Sequence, residues 1–241
     1  MKISVVIPAF NEERLIVQTL RQVREAMRAF DAKGWGSELI VCNNNSTDRT
    51  AELATAEGAT VVFEPVNQIG RARNCGANAA SGDWLLFIDA DSLPELALLG
   101  EVAAAIESGD YLAGGSTVRI EGDYPFTKFA TGLWNRVSRW QRWVAGSFVF
   151  CETSAFREVG GFDLQLYASE EIALSKKLKL LAQKRKQKLI ILHHHPLLTS
   201  ARKMNLYTKR EHMMFLLRTM FSGGRTLNSR EACHTWYDGR R

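Results

Sequence analysis

Residues 85–92 read LLFIDADS, a run of apolar residues followed by two aspartates that one alanine separates. The apolar run predicts a buried strand, and on extended backbone Asp89 and Asp91 share one face of it. Two carboxylates so close together repel each other unless a cation lies between them. Because Mg²⁺ and Mn²⁺ prefer oxygen ligands and often bind one or two carboxylates with a substrate phosphate, the stretch predicts a metal site. The alternative is an Asp N-cap and a turn before the helix that begins at Pro94.

The rest of the first half alternates between short apolar strands and amphipathic helices. The β-branched run 3–7, closed by Pro8, predicts the first strand. Asn11 is a candidate N-cap of the helix that follows, with Glu12 and Glu13 in its first turn. Further strands are predicted at 38–42, 60–63 and 84–88, and helices at 46–57, 69–80 and 94–106, the first of these capped by Ser46 or Thr47. This alternation predicts an α/β fold in which a mostly parallel sheet carries helices on both faces.

Polar clusters follow three of the predicted strands, at 8–13, 43–48 and 89–92. Ligands of open parallel sheets bind beyond the carboxyl ends of the strands. We therefore expect the three clusters to converge on one ligand site. Asp48 is an exception, because an aspartate at a helix start is more often a cap or dipole partner than a ligand.

The second half is less regular. Strands are predicted at 111–120, 147–150 and 189–192, and helices at 126–144, 169–183 and 207–221. No linker or internal repeat divides the chain, which predicts one domain over 1–241. Within it we expect a nucleotide-facing first half (1–118), a more variable second half (119–200) and a helical, basic C-terminal extension (201–241).

Composition excludes several classes of protein. The chain has 241 residues, 46% apolar and 24% charged, which is ordinary for a globular protein. Its longest apolar runs fall short of the ~18–20 residues of a membrane span, and its start does not resemble a secretory signal. Four widely spaced cysteines favour reduced thiols, so we expect a cytoplasmic protein. The basic run at 174–190 contains no aromatic residue, unlike a nucleic-acid stacking platform, and is interpreted as a solvated face.

The predicted helix at 126–144 combines tryptophans with arginines, namely Trp134, Trp140 and Trp143 with Arg136, Arg139 and Arg142. The preferred interpretation is an ordinary amphipathic core helix. The alternative is a helix lying in the plane of a membrane at the inner face, which would bring the site to a lipid-linked acceptor.

Four stretches together resemble the family 2 glycosyltransferases: VVIPAFNEE, IVCNNNSTDRTAELA, IGRARNCGANAASGDWLLFIDAD and GSFVFCETSAFREVGGFDLQLYASEEIALSKKL. The resemblance covers residues 1–200 and implies the Rossmann-like GT-A fold, a three-layer α/β/α sandwich. It also implies a nucleotide-sugar donor, Mn²⁺ or Mg²⁺ bound by Asp89 and Asp91 (the DxD motif), and transfer of the sugar to an acceptor hydroxyl.

The resemblance also assigns the donor site, in a list of eleven residues: Pro8, Ala9, Asn11, Glu12, Asn43, Asn44, Gly70, Arg71, Arg73, Asp89 and Ala90. Asn43 stands where the family usually has an aspartate that contacts the base. Its amide can accept from N3–H of uracil and donate to O4, which favours a UDP-sugar. For Arg71 and Arg73, an exposed helix face is an equally good interpretation.

The catalytic base is expected in the stretch ASEEIALSKKL, where the family usually has Glu-Asp. Glu171 takes the place of that aspartate and Glu170 remains the alternative; both would also suit a helix N-terminus. Inverting transfer needs one carboxylate to accept the acceptor proton. Among His193, His194 and His195, the last is the candidate third metal ligand.

The sequence thus predicts a metal-dependent, inverting glycosyltransferase. A nucleotidyltransferase is the enzymatic alternative, although no glycine-rich phosphate loop follows the first strand. The second alternative is a protein that binds a nucleotide sugar without catalysis.

Overall fold

The computed structural model describes residues 1–122, 125–144 and 146–200, together with residues 231 and 233. The strands are β1 (Lys2–Ala9), β2 (Gly36–Asn43), β3 (Thr60–Phe63), β4 (Trp84–Ile88), β5 (Ser92–Leu93), β6 (Tyr111–Ile120), β7 (Phe148–Glu152) and β8 (Lys188–Thr199). The helices are α1 (Ile16–Asp31), α2 (Thr50–Ala56), α3 (Ile69–Ala79), α4 (Leu96–Glu107), α5 (Pro125–Gln141), α6 (Thr153–Glu158) and α7 (Glu170–Lys184).

The strands form one sheet in the order β3-β2-β1-β4-β7-β6-β8-β5. Strands β3, β2, β1 and β4 are parallel neighbours, as are β6 and β8. Strand β7 runs antiparallel between β4 and β6, and the short β5 runs antiparallel to the end of β8. The predicted mostly parallel sheet is confirmed.

Two apolar clusters, one on each face of the sheet, complete the three layers. Helices α1, α2 and α4 cover one face, and α3, α6 and α7 cover the other. Helix α1 shows why its sequence folds this way, since its buried apolar residues recur at helical spacing: Ile16, Leu20, Val23, Met27 and Phe30. Helix α3 consists mostly of small residues because it lies very close to β1, where a Cβ added to Gly76 would be 2.4 Å from Val6 Cγ1.

The first two helices begin later than predicted. Helix α1 starts at Ile16, so Asn11 is not its N-cap and Glu12 and Glu13 are not in its first turn. Asn11 has a left-handed φ of 53°, which ends β1 in a turn. Helix α2 starts at Thr50 after its N-cap Arg49, so Asp48 lies before the first turn, where its Oδ1 accepts from the N–H of Thr50 at 3.0 Å.

The last strand is longer than predicted. Strand β8 continues through the three histidines to Thr199 and pairs there with β5, which the sequence did not predict. Helix α6 is a second unpredicted element. The predicted helix at 207–221 and most of the C-terminal extension lie outside the described residues. None of the described helices is both long enough and apolar enough to cross a membrane.

Helix α5 does not pack as the core helix preferred from the sequence. Its side chains Phe129, Leu133 and Trp140 are 72%, 56% and 80% exposed. The polar residues Asn135 and Ser138 face the protein instead, and Asn135 exchanges hydrogen bonds of 3.1 and 2.9 Å with the backbone of Val118 in β6. The face of α5 that carries Asn135 and Ser138 is therefore the one that packs on the domain.

Candidate active site

The loops after β1 and β2 are joined by side-chain hydrogen bonds. The N–H of Asn11 donates to Ser46 Oγ at 3.0 Å, and Asn11 Oδ1 accepts from the N–H of Thr47 at 2.8 Å. The N–H of Glu12, a buried residue, donates to Thr50 Oγ1 at 2.7 Å. Asn11 thus connects two of the predicted polar clusters, which the fold brings together as expected.

The asparagines after β2 differ from each other in their surroundings. Asn44 is buried, and its Nδ2 donates to the Val66 carbonyl at 2.6 Å, which anchors the loop before α3. Asn43 is half-buried at the end of β2, beside Ala9 of β1, and its Oδ1 accepts from the N–H of Ser46 at 2.9 Å. Ala9 and Pro8 are themselves buried in β1. Asn43 is therefore better placed than Asn44 to meet a ligand.

Arg73 lies at the centre of the site. It is 1% exposed, so the exposed-face interpretation of this residue is wrong. Its Nη1 donates to Glu170 Oε1 at 2.5 Å, and its Nη2 donates to Asp89 Oδ1 at 2.9 Å and to the Gly146 carbonyl at 2.7 Å. Burial disfavours its charge, but the facing carboxylates of Asp89 and Glu170 outweigh this and raise the pKa of Arg73. One guanidinium therefore joins α3, the end of β4 and the start of α7.

The other two residues predicted in α3 are placed differently. Arg71 is 38% exposed and lies 4.0 Å from Glu64, so it has the exposed position that was one of its two interpretations. Gly70 is buried against Phe162. The ring of Phe162 in turn lies under the guanidinium of Arg73, with 5.2 Å between the ring centroid and Cζ.

The two glutamates that begin α7 have separate roles. Glu170 is 3% exposed and is occupied by its ion pair with Arg73. Glu171 faces a cavity, and its burial, together with the negative charge of Glu170, raises its pKa to about 8. A carboxylate with a pKa so far above the usual range is a strong proton acceptor once ionised.

That cavity, which we name the α7 cavity, has a volume of about 230 Å³. It is lined by Ile69, Arg73, Asp89, Gly146, Ser147, Tyr167, Ala168, Ser169, Glu170 and Glu171. Segments far apart in the sequence thus supply one cation and several carboxylates at the carboxyl end of β4. The position is the one where ligands of α/β sheets bind.

Asp89 and Asp91 are in a turn rather than in extended backbone. The N–H of Ser92 donates to the Asp89 carbonyl at 3.1 Å, which closes the turn around Ala90. The inference that the two side chains share one face of a strand is therefore wrong. The hydroxyl of Thr19 donates to the Ala90 carbonyl at 2.7 Å and fixes the turn to α1.

His195 lies away from both aspartates. Its Nδ1 is hydrogen-bonded to Glu101 of α4, the helix that covers the sheet face opposite α3 and α7. Strand β8 reaches Asp91 only at Ser200, whose N–H donates to the Asp91 carbonyl, and five residues of strand span about 16 Å. The expectation that His195 is a third metal ligand is therefore wrong.

The donor atoms near the turn fit a divalent cation that is shared with a ligand. In the described part of the chain, no group of three or more His, Cys, Asp or Glu side chains could hold a metal ion. Asp89 and Asp91 supply two carboxylates at the turn, and Asp89 Oδ1 already accepts a hydrogen bond from Arg73. Mg²⁺ commonly binds through one or two carboxylates and completes its shell with substrate phosphates and water, so this donor set suits a cation bound together with a diphosphate.

Two positioning residues were missed from the sequence. Gln68 Nε2 donates to the carbonyls of Leu164 and Leu166, each at 2.9 Å. Asn74 holds Phe162 by both its side-chain atoms, at 2.9 and 3.0 Å. Asn74 lies in a stretch that carries the family resemblance and Gln68 comes directly before it, but nothing in their residue types indicates that they fix the loop leading to Tyr167.

A residue of the C-terminal extension also reaches this region. Cys233 is fully buried and packs with Ala168 and Tyr167, two residues that line the α7 cavity. Burial, and to a lesser degree the charge of Glu170, raises the pKa of its thiol to about 11. Cys233 therefore packs behind two residues of the cavity wall, a contact that the sequence did not indicate.

Comparison with known proteins gives the family. The model of the glycosyl transferase family 2 matches residues 4–160. An uncharacterized glycosyltransferase of Mycobacterium tuberculosis is 32% identical over 120 residues, which are 50% of this chain and 50% of that protein. The hexosyltransferase Agl6 of low-salt glycan biosynthesis in Haloferax volcanii is 34% identical over 122 residues, 50% of this chain and 28% of that protein. The chain thus spans half or less of the length of these relatives.

Solved structures give the fold. TarS 1–349 of S. aureus superposes with a TM-score of 0.64 at 20% identity, over 98% of this chain and 68% of that one. Glucosyl-3-phosphoglycerate synthase from Mycobacterium tuberculosis, in complex with Mn²⁺, UDP and phosphoglyceric acid, superposes with a TM-score of 0.60 at 20% identity, over 96% of this chain and 78% of that one. The chain belongs to glycosyl transferase family 2 and has the GT-A fold.

Proposed function

We propose that this protein transfers a hexose from a UDP-sugar to an acceptor hydroxyl with inversion, using Mn²⁺ or Mg²⁺. The observation that carries the proposal is the arrangement around Arg73, which brings Asp89 and Glu171 to one cavity at the carboxyl end of β4. Structural neighbours support the choice of donor, since TarS was crystallised with UDP-GlcNAc and the synthase with UDP and Mn²⁺. Family membership favours this activity over nucleotidyl transfer and over binding without catalysis.

Glu171 is the proposed base. In an inverting transfer the acceptor oxygen attacks the anomeric carbon, its proton passes to a carboxylate, and the bond to the diphosphate breaks in the same step. Glu170 is held by Arg73, so its charge is already paired, whereas Glu171 faces the α7 cavity. A pKa of about 8 combines strong basicity with a useful ionised fraction near neutral pH.

Arg73 is the proposed organiser of the site. It holds Asp89 and Glu170 at fixed positions through its hydrogen bonds. Its own side chain is buried, so it stays in place while the leaving group departs. A divalent cation held by Asp89 and Asp91 would supply Lewis-acid stabilisation of the departing diphosphate. Asn43 and Asn11 are proposed to lie beside the nucleoside, at the ends of β2 and β1.

The test is release of UDP from a panel of UDP-hexoses, with Mn²⁺ or with EDTA. Glu171→Gln should keep nucleotide binding, measured by calorimetry, and lose transfer by about 10²–10⁴-fold. Glu52→Gln is the matched control, because Glu52 also stands in the first turn of a helix but is exposed. If no nucleotide raises the melting temperature with any divalent metal, the donor assignment is wrong. Full activity in Glu171→Gln would move the base elsewhere.

A further inference from the structure

Helix α5 exposes an apolar stripe on the side that faces away from the domain. At about 100° per residue, Phe129, Leu133 and Trp140 fall within about 40° of one another. Ser138, which is 1% exposed, lies on the opposite side of the helix. Large apolar side chains that cluster on a surface mark an interaction site, whereas scattered ones do not.

The surroundings of the stripe are basic. Residues 125–144 and 172–200 contain no aspartate or glutamate. Arg136, which is exposed, lies within the same stripe of α5. At the end of the helix Lys176 of α7 lies over the ring of Trp143, with Nζ 5.7 Å from the centroid, so the basic face of α7 continues that of α5.

A cavity of about 260 Å³ opens beside the C-terminal end of α5. Two of its lining residues, Arg139 and Arg142, lie close to Trp140 in the sequence. Its lining includes Arg139, Arg142, Lys188 and His193 together with the Tyr111 ring, and no carboxylate. Arg142 has a left-handed φ of 52°, an uncommon conformation for a residue with a side chain. Such a concentration of donors without a counter-charge suits a phosphate group.

We infer that α5 is a membrane-docking helix that lies in the plane of an anionic bilayer, with a lipid phosphate in the cavity between Arg139 and Lys188. The aromatic and leucine side chains enter the boundary between headgroups and acyl chains, as in other amphipathic interfacial helices. Charge complementarity selects an anionic bilayer over a protein partner, since the exposed stripe itself and the cavity at the C-terminal end of α5 carry basic residues and no carboxylate. The inference concerns a surface outside the α7 cavity and does not depend on the transfer reaction.

Docking would also orient the site. After α5 the chain passes through Trp143 and Val144 to Gly146, whose carbonyl accepts from Arg73 in the wall of the α7 cavity. The N–H of Val144 donates to Ser175 Oγ of α7 at 3.1 Å, which ties this connection to the helix that carries Glu171. A bilayer against α5 therefore contacts the helix whose C-terminal connection leads directly into the wall of the α7 cavity.

The experiment is flotation of the full chain with vesicles of pure phosphatidylcholine or of phosphatidylcholine with 30% phosphatidylglycerol. The chain should float only with the anionic vesicles. The triple variant F129S/L133S/W140S should no longer float, although its melting temperature stays unchanged because all three side chains are exposed. Phe63→Ser is the matched control: Phe63 is 58% exposed, but on β3 at the far end of the sheet, and its variant should float like the wild type.

The phosphate cavity is tested by Arg139→Gln with Arg142→Gln. Each basic residue at an anionic surface contributes about fivefold in affinity, so this pair should weaken vesicle partitioning about 30-fold. Absence of flotation by the wild type, or equal flotation by the triple variant, overturns the inference. Binding of inorganic phosphate by calorimetry, without any vesicle binding, would overturn the lipid source in favour of a soluble phosphate.

Discussion

Removal of the Arg73 side chain should destabilise the protein severely. In Arg73→Met, Glu170 stays buried at 3% exposure without its counter-charge, and Asp89 and the Gly146 carbonyl lose their donor. Breaking a buried ion pair from one side costs about 3–5 kcal/mol of the free energy of unfolding. For a chain of this size that lowers Tm by roughly 6–20 °C.

Urea and thermal unfolding followed by circular dichroism measure the loss. Arg71→Met is the matched control from the same helix, and its 38% exposed side chain predicts a change within about 0.5 kcal/mol. Arg73→Met combined with Glu170→Met should be more stable than Arg73→Met alone, because no unpaired charge then remains at the Glu170 position. Arg73→Lys keeps the charge but not the planar fork, so its stability should lie between wild type and Arg73→Met. A loss below about 1 kcal/mol in Arg73→Met would refute the buried network.

The other predictions concern proton transfer, the edge of the sheet and helix packing. Because the pKa of Glu171 is raised to about 8, the base is mostly protonated below that pH. The value of kcat/KM should therefore rise through about pH 8 and then level off. A profile that is already level near pH 6 would contradict the assignment of Glu171 as the base. For Glu38, burial alone would raise the pKa, but hydrogen bonds from Lys2, Ser4 and Ser81 lower it to about 2 from 4.5. The folded state therefore favours the ionised form. Above pH 4.5 the free energy of unfolding of the wild type should exceed that of Glu38→Gln by about 1 kcal/mol, because water screens this part-exposed site, and the advantage is lost as pH falls through about 2. Urea unfolding at a series of pH values checks this, and a constant difference would count against it. Gly76→Ala should lower the free energy of unfolding by about 1–3 kcal/mol, since its Cβ would meet Val6 at 2.4 Å. The control Gly100→Ala in α4, with nothing within 4 Å of the added Cβ, should be neutral or raise it by up to about 1 kcal/mol. Equal melting temperatures of the two variants would be inconsistent with the close packing of α3.

Strands could be predicted from local sequence where the run of residues is so apolar that only the buried centre of a sheet suits it. The run of β4 is continuously apolar and that of β1 is interrupted only by Ser4, and both strands are buried in the centre of the sheet. Helix starts were less predictable, because capping residues also bond to distant partners. Asn11 satisfies its side chain with Thr47, which lies in a loop 36 residues further along the chain. The local preference for an N-cap is therefore overridden by a contact between loops.

The apolar spacing of α5 also shows that local sequence does not determine which tertiary contacts a residue makes. Periodicity indicates that Phe129, Leu133 and Trp140 share one face of a helix, and they do. It does not indicate whether that face meets the sheet or the outside. Asn135 decides this, because its paired hydrogen bonds with Val118 fix the polar face against β6.

For this protein, the sequence by itself determined the layered α/β architecture and the position of Asp89 and Asp91 at the carboxyl end of a buried strand. Those features follow from short-range periodicity and from the meeting of strand ends. Only the tertiary structure decided that Arg73 is buried and that Glu170 is its partner. Their hydrogen bond joins residues 97 positions apart, and a charge of this kind is stable in the interior only when its counter-charge is held beside it. The same folding gives His195 a different partner, because its Nδ1 is hydrogen-bonded to Glu101 of α4, and it forms no group of three metal-ligating side chains with Asp89 and Asp91.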